Sequence, residues 1–240
     1  MLTNNPSFWR LVGLLIADRD HLTTFSNTSI KLVKLFENLG NNLSPFSTKI
    51  KQKRERRKNR KPLWRVYTSG DLSKEIKRVW KNLESYISHI NEDCFWQLMT
   101  GIYEGDGSVT LRPVRWRNKI NLYLEVEIKF SKKEEKLARE IARRLERYGL
   151  KISLKNYRNY IRFRITSLCG VMFFFEKINP LVKNPSKRET FDPRSKNAAK
   201  IVEIFERKRR EISKLGINPL EKIEDLRKFN IPPQYRVYFN

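Results

Sequence analysis

The sequence predicts an α+β fold of two pseudo-symmetric halves, each a leading helix followed by antiparallel strands and further helices. Three observations predict it. Gly13, Ala17 and Asp18 match Gly101, Gly105 and Asp106 at one offset of 88 residues. The same order of helix, strand, helix, two strands and helix then follows each copy, which a chance match of one short motif would not produce. And 39% hydrophobic with 12% aromatic residues over 240 residues is enough for packed cores and too apolar for a disordered basic tail.

In the first half, Phe8 to Asp18 reads as a helix, with Asn5 as its cap and Pro6 at the first helical position, where a missing N–H costs nothing. A β-rich Thr23-Thr24-Phe25-Ser26 leads to an amphipathic helix over 30–39, with Leu32, Val33, Leu35, Phe36 and Leu39 at helical spacing and Gly40 closing it. Strands are expected over 45–52 and 63–69 and a helix over 72–87. In the second half, Asn91 or Asp93 caps a helix ending at Asp106, and a hairpin runs out over 108–113, turns over 115–119 and returns over 121–130. A helix over 134–148, with Leu137, Ile141, Leu145 and Leu150 on its apolar side and Gly149 at its end, precedes strands over 150–154 and 160–167 and a helix over 170–178.

The halves are unequal. Asp18 and Phe25 are 7 residues apart, whereas Asp106 and Phe130 are 24 apart, so the first sheet is expected to have lost one strand pairing. The domains are then 1–89, 90–183 and a basic helical extension, 184–240, whose helix over 195–215 sets Ile201, Phe205, Ile212 and Leu215 beside Arg207-Lys208-Arg209-Arg210.

Charge narrows the function. Lys and Arg total 51 against 26 Asp and Glu, a net charge of +25. A polyanion relieves such self-repulsion; nucleic acid is the first candidate partner and an anionic membrane surface the second. Cys94 and Cys169 make no disulfide scaffold, and His21 and His89 are too isolated for a zinc finger or a histidine-metal nuclease. No apolar run approaches the roughly 20 residues that span a bilayer. The apolar run at Phe8 to Ala17 has no basic leader and ends in Asp18-Arg19-Asp20, so no membrane partner is expected. The expected location is intracellular and cytoplasmic, nucleoid-associated in a prokaryote.

The densest positive charge falls between the two later strands of the first half. Lys49, Lys51, Lys53, Arg54, Arg56, Arg57, Lys58, Arg60 and Lys61 are nine cations in thirteen residues, with Glu55 the one acid, as expected of a loop gripping phosphates. Arg65 lies on the next strand. In the second half Arg112, Arg115 and Arg117 sit in the hairpin, and alternation puts Glu125, Glu127 and Lys129 opposite a face of Val126, Ile128 and Phe130. Arg162 and Arg164 alternate with Ile161, Phe163 and Ile165 in the same way. Cations on such ribbons can reach base edges in a major groove or neutralise phosphates, while Glu125 and Glu127 would be shielded or would read cytosine.

Met99-Thr100-Gly101-Ile102-Tyr103-Glu104-Gly105-Asp106-Gly107-Ser108 resembles the signature of the LAGLIDADG homing endonucleases. Leu11-Val12-Gly13-Leu14-Leu15-Ile16-Ala17-Asp18-Arg19-Asp20 resembles it too, with Arg19 where the signature has Gly. Over residues 5–183 the chain is similar to the two-domain monomeric, intron-encoded members. The resemblance implies two halves packed through paired LAGLIDADG-type helices under a DNA-binding saddle, and a site-specific double-stranded DNA endonuclease acting as a monomer. It implies Mg²⁺, or Mn²⁺, held by Asp18 and Asp106 with the backbone carbonyls of Ala17 and Gly105, and a catalytic basic residue at Lys132. Thr28 or Asn27 stands in the place of Lys132 in the first half.

The spacing fits that chemistry. Residues four apart share a helix face, so Gly13 with Ala17 and Gly101 with Gly105 let two helices meet at backbone contact. Each helix then ends in an Asp, and two adjacent carboxylates raise each other's proton affinity unless a cation lies between them. Glu104 reads as a polar residue near a helix end. Arg19 is expected to strain a left-handed helix terminus and to crowd the metal site. It favours the alternative, a degenerate relative that binds nucleic acid without cutting it: an RNA maturase with intron RNA as its ligand, a regulator or a structural protein.

Overall fold

The computed structural model describes residues 2–53, 62–116, 119–178 and 218–219. Helix α1 (Pro6–Asp18) starts where Asn5 accepts a hydrogen bond from the Ser7 amide at 2.9 Å. Every residue from Phe8 to Ile16 is buried, the pattern of a helix covered on all sides. Helix α5 (Glu92–Asp106) is its counterpart, capped by Asn91 and buried from Phe95 through Gly105 except at Gln97.

Each leading helix feeds an antiparallel sheet. The first contains β1 (Arg19–His21), β2 (Thr24–Asn27), β3 (Thr48–Lys53) and β4 (Leu63–Thr68), in the order β1-β2-β4-β3. The second contains β5 (Ser108–Trp116), β6 (Lys119–Ser131), β7 (Ile152–Asn156) and β8 (Tyr160–Ile165), in the corresponding order β5-β6-β8-β7. A two-residue strand, β9 (Asn218–Pro219), pairs in parallel with β6. The expected loss of a strand pairing in the first half is corrected: β1 pairs with β2, but over 3 and 4 residues where β5 and β6 have 9 and 13.

Further helices surround the sheets. These are α2 (Ile30–Leu43), α3 (Gly70–Trp80) and α4 (Leu83–His89) in the first half, and α6 (Glu135–Arg147) and α7 (Leu168–Ile178) in the second. Helix α2 packs on the first sheet, α6 and α7 on the second, and α4 against α6. One contiguous core joins the halves, with Phe25 stacked on Phe36 in one and Phe130 edge-on to Phe163 in the other.

Several boundaries differ from the sequence expectation. The turn expected over 115–119 is shorter, since β5 runs to Trp116 and β6 starts at Lys119, and the strands expected over 150–154 and 160–167 run over Ile152–Asn156 and Tyr160–Ile165. Gly40 does not close α2; it lies inside the helix, where a Cβ would come 2.2 Å from Thr48 Cγ2. The strand expected from 45 begins at Thr48, because Pro45 and Phe46 make a turn in which Phe46 takes φ 59°. The helix expected over 72–87 is two helices. The apolar spacing of Leu72, Ile76, Val79, Leu83 and Ile87 runs through the break, so periodicity cannot reveal it; Asn82 leaves helical geometry with φ −134° and ψ 39°. Gly149, by contrast, ends α6 in the left-handed region as expected, at φ 82°. The helix expected over 195–215 lies outside the described residues. No helix among the described residues is long and apolar enough to cross a membrane.

Candidate active site at the paired helix ends

Helices α1 and α5 touch main chain to main chain. A Cβ on Gly13 would lie 2.2 Å from the Leu98 carbonyl oxygen, and one on Gly101 would lie 2.1 Å from the Arg10 carbonyl oxygen. A Cβ on Gly105 would lie 2.2 Å from the Ala17 Cβ and 3.2 Å from Asp18 Oδ2. The predicted small-residue seam is therefore present at all four positions, Gly13, Ala17, Gly101 and Gly105. It sets the Asp18 carboxylate against the residue that precedes Asp106.

Both acids end their helices and both are partly exposed. A helix C-terminus carries roughly half a negative charge. The two helix ends lie side by side, each closing on an Asp, with Ala17 and Gly105 in the last turns, where carbonyls point out of the helix end. Hard oxygen donors of this kind suit Mg²⁺ or Mn²⁺. Among the described residues no three His, Cys, Asp or Glu side chains gather into a metal cage.

Asn27 is the first-half residue that reaches this point. Its Nδ2 donates to Asp18 Oδ2 at 2.6 Å while its Oδ1 accepts from the Ser29 amide at 2.6 Å. Lys132 follows β6 in a short 3-10 turn, Lys132–Glu134, and its Nζ lies 3.0 Å from Glu135 Oε2. Arg139, with Lys132 and Asn156, holds the Glu135 carboxyl at about 2, well below the usual carboxylate range.

The expected strain at Arg19 is corrected. Arg19 has φ −77° and ψ 140°, and Gly107 has φ −70° and ψ 146°, so neither helix end is left-handed. Gly107 is required for a different reason: a Cβ there would meet the buried Tyr103 ring at 2.0 Å, whereas Leu15 stands at the corresponding place in α1. The Arg19 guanidinium packs 4.6 Å from the centre of the Trp80 ring, with Nη1 2.7 Å from Glu134 Oε1.

Glu104 is likewise more than a polar residue near a helix end. It is buried in the seam and takes two hydrogen bonds from Arg10, Nε to Oε2 at 3.0 Å and Nη2 to Oε1. The one Arg in the apolar stretch of α1 and the one Glu in the apolar stretch 94–105 of α5 were the signal that could have paired them.

The outer sheet faces carry the predicted cations. In the first sheet Lys49 and Lys51 are exposed, Lys51 lies opposite Arg65, and Arg65 is ion-paired with Asp20. In the second, Lys129, Arg162 and Lys155 lie directly opposite one another across three strands. Like charges so placed repel, an arrangement that a bound anion would relieve. Glu127 sits within 3.3 Å of Arg162 and 3.8 Å of Lys129, and buried Glu125 lies 3.3 Å from Arg164, so the two acids serve their own arginines. The sequence did not single out Tyr157 and Tyr160, which stack at 4.7 Å with the Arg162 guanidinium 4.7 Å from the Tyr157 ring. Arg112 and Arg115 lie on β5, and Lys53 ends β3. Arg54, Arg56, Arg57, Lys58, Arg60 and Arg117 lie outside the described residues.

Residues 99–192 match the family model described as LAGLIDADG endonuclease. That match places the second half of the chain, residues 99–192, with the LAGLIDADG family. The chain's α+β fold is that of solved LAGLIDADG structures. The N-terminal LAGLIDADG domain of DUF199/WhiA aligns over 75% of this chain and 85% of its own, at 18% identity and a TM-score of 0.51. The structure of I-DmoI in complex with DNA and Ca aligns over 74% and 91%, at 18% identity and a TM-score of 0.52. Full-length DUF199/WhiA from Thermatoga maritima aligns over 87% and 69%, at 17% identity and a TM-score of 0.51. No curated protein matches the sequence.

The family model covers the second motif and its half, whereas the first motif is carried by the structural repeat. One contact escaped the sequence altogether. Arg144 of α6 donates to the Ile87 and Ile90 carbonyls, the latter at 2.6 Å, and lies 4.3 Å from the Phe95 ring, clamping the connection between the halves. Nothing in the repeated arginines of α6 marks this one as buried.

Proposed function

We propose that the chain is a site-specific double-stranded DNA endonuclease of the homing type, with a divalent metal, Mg²⁺ or Mn²⁺, held between Asp18 and Asp106. The observation that carries it is the glycine seam, which leaves Asp18 Oδ2 3.2 Å from the Cβ position of Gly105, at the junction of two helix C-termini. The donor set fits such an ion: two carboxylates and helix-end carbonyls, leaving the remaining positions for water and phosphate oxygens. When bound, the metal would supply charge neutralisation at the scissile phosphate and a water of lowered pKa.

The chain's own residues would do the rest. Asp18 and Asp106 hold the cation, with Asn27 fixing the rotamer of Asp18. Lys132 supplies a cation beside the phosphate in the second half. Lys49, Lys51, Arg65, Lys129, Arg162 and Arg164 position the duplex through its backbone. Because both acids come from one chain, the proposed enzyme acts as a monomer.

The test is incubation with a library of duplexes and Mg²⁺, beside Asp18→Asn and Asp106→Asn. Cut products should appear with the wild type and vanish in both variants, while binding persists. A second reading, nucleic-acid binding without cleavage, has one observation in its favour: the neutral Asn27 amide, not a cation, meets Asp18. Tight, salt-sensitive binding to duplex DNA or intron RNA with no product on any duplex would establish that reading instead.

A further inference from the structure

Arg19, the residue that departs from the motif, is tied to the opposite half. Its partner Glu134 uses Oε1 for Arg19, while Oε2 accepts from the Ser131 amide at 3.0 Å, and Ser131 Oγ accepts from the Lys133 amide at 3.3 Å. Lys132 lies between those two capped residues. A continuous chain of contacts therefore runs from the residue after Asp18 to the backbone on both sides of Lys132. The ion pair is shielded, with side-chain exposures of 29% for Arg19 and 11% for Glu134, and Trp80 backs the guanidinium.

The first half's turn reaches the same helix end by another route, through the Asn27 amide on Asp18. Both turns thus converge on Asp18-Arg19. Gly107, the counterpart of Arg19, has no side chain with which to return the tie.

We propose that Arg19 is a positioning residue: it holds the Lys132 turn of the second half against the Asp18 end of α1. The proposal rests on the endonuclease reading. It reverses what the motif suggests, because Arg19→Gly, which completes the signature, removes the tie and slows the reaction. A planar, stacked guanidinium is needed on Trp80, so Arg19→Lys keeps the charge and only part of the effect.

The experiment uses the full chain with Arg19→Gly, Arg19→Lys and Glu134→Gln. Amide hydrogen exchange at Ser131 and Lys133, without DNA, should quicken about tenfold in Arg19→Gly and Glu134→Gln, reflecting a looser cap. Single-turnover cleavage of a duplex selected with the wild type should fall roughly 10- to 100-fold in both, as expected when a reacting group is misplaced. The DNA dissociation constant should move less than about threefold, and Arg19→Lys should recover part of the rate. A merely structural tie would quicken exchange and leave the rate alone. A wild type that cuts and an Arg19→Gly variant that cuts as fast or faster overturns the positioning role alone. A wild type that cuts no duplex removes the endonuclease reading, and the positioning role of Arg19 with it.

Discussion

The two halves share a backbone plan and differ in chemistry. Their sheets have the same strand order, yet the first hairpin is cut to strands of 3 and 4 residues and the second runs to 9 and 13. Asn27 meets Asp18 in one half, and Lys132 pairs with Glu135 in the other. The seam between them did not diverge in this way. At Gly13 and Gly101 the neighbouring atoms are main chain of the partner helix, which cannot move aside, whereas sheet edges and turns face solvent and can be shortened or recharged. The difference teaches that the repeat is held by sterics at the seam and released everywhere else.

The largest expected effect tests that rule directly. Gly13→Leu and Gly101→Leu should be equally destructive, each above about 4 kcal/mol, since each drives a side chain into backbone. Chemical denaturation would show it; a mild effect at either position would mean that the seam is looser than its contacts. Positions 19 and 107 should break the symmetry, with Gly107→Arg unfolding the protein by displacing Tyr103 while Arg19 is native.

The seam carries one asymmetry of its own. Arg10 and Glu104 are paired and buried, and their counterparts at the 88-residue offset, Leu98 and Ile16, are apolar and buried. Glu104→Ala should cost about 3 kcal/mol, because it strands a buried guanidinium. Arg10→Leu combined with Glu104→Ile copies the apolar side and should be near neutral or stabilising. Thermal denaturation of the two single variants and the double variant would give the coupling. If the double variant is as damaged as Glu104→Ala, the ion pair does more than replace an apolar contact.

Chemistry should divide the halves next. Lys132→Met is expected to slow cutting of one strand about 100-fold and to spare the other, which has the neutral Asn27 and no lysine at the corresponding turn. Asn27→Lys should bring the slower strand toward the faster one. Strand-resolved cleavage of an end-labelled duplex reads both. Equal slowing of both strands by Lys132→Met would mean that the halves share one centre.

What the sequence made legible follows from where the constraints are local. Asn5, Pro6, Asn91 and Gly149 announce helix ends through hydrogen bonds and torsions within a few residues, and each does what it announces. The pairing of Gly13 with Gly101 was legible because the repeat set two small faces at the same offset. Arg19 was read by analogy with a turn that neither helix makes, and its real partner, Glu134, is 115 residues away. Arg144 was illegible for the same reason: a charge that is buried by distant elements looks, in sequence, like any other charge on a helix rich in charges.

The smallest expected effect separates the two sheets proposed to meet DNA. Lys51 is exposed on the first sheet, opposite Arg65, and its described contact is the Tyr67 ring at 5.8 Å, which leaves the ammonium charge whole. Lys129 is exposed on the second sheet but stands 3.8 Å from Glu127, which Arg162 also engages. A phosphate that docks at Lys51 gains a full counter-charge, whereas one that docks at Lys129 competes with a carboxylate already in place. Lys51→Ala should therefore lower the slope of log K against log salt by about 1, the change expected for one lost phosphate contact. Lys129→Ala should lower it by less than that, and Glu127→Gln should restore to Lys129 the weight of a whole contact. Binding titrations on one duplex across a salt series measure all three. Equal slopes for Lys51→Ala and Lys129→Ala would show that Glu127 swings away when DNA arrives, and the acids of the second sheet would then be screening the empty face and not the bound one.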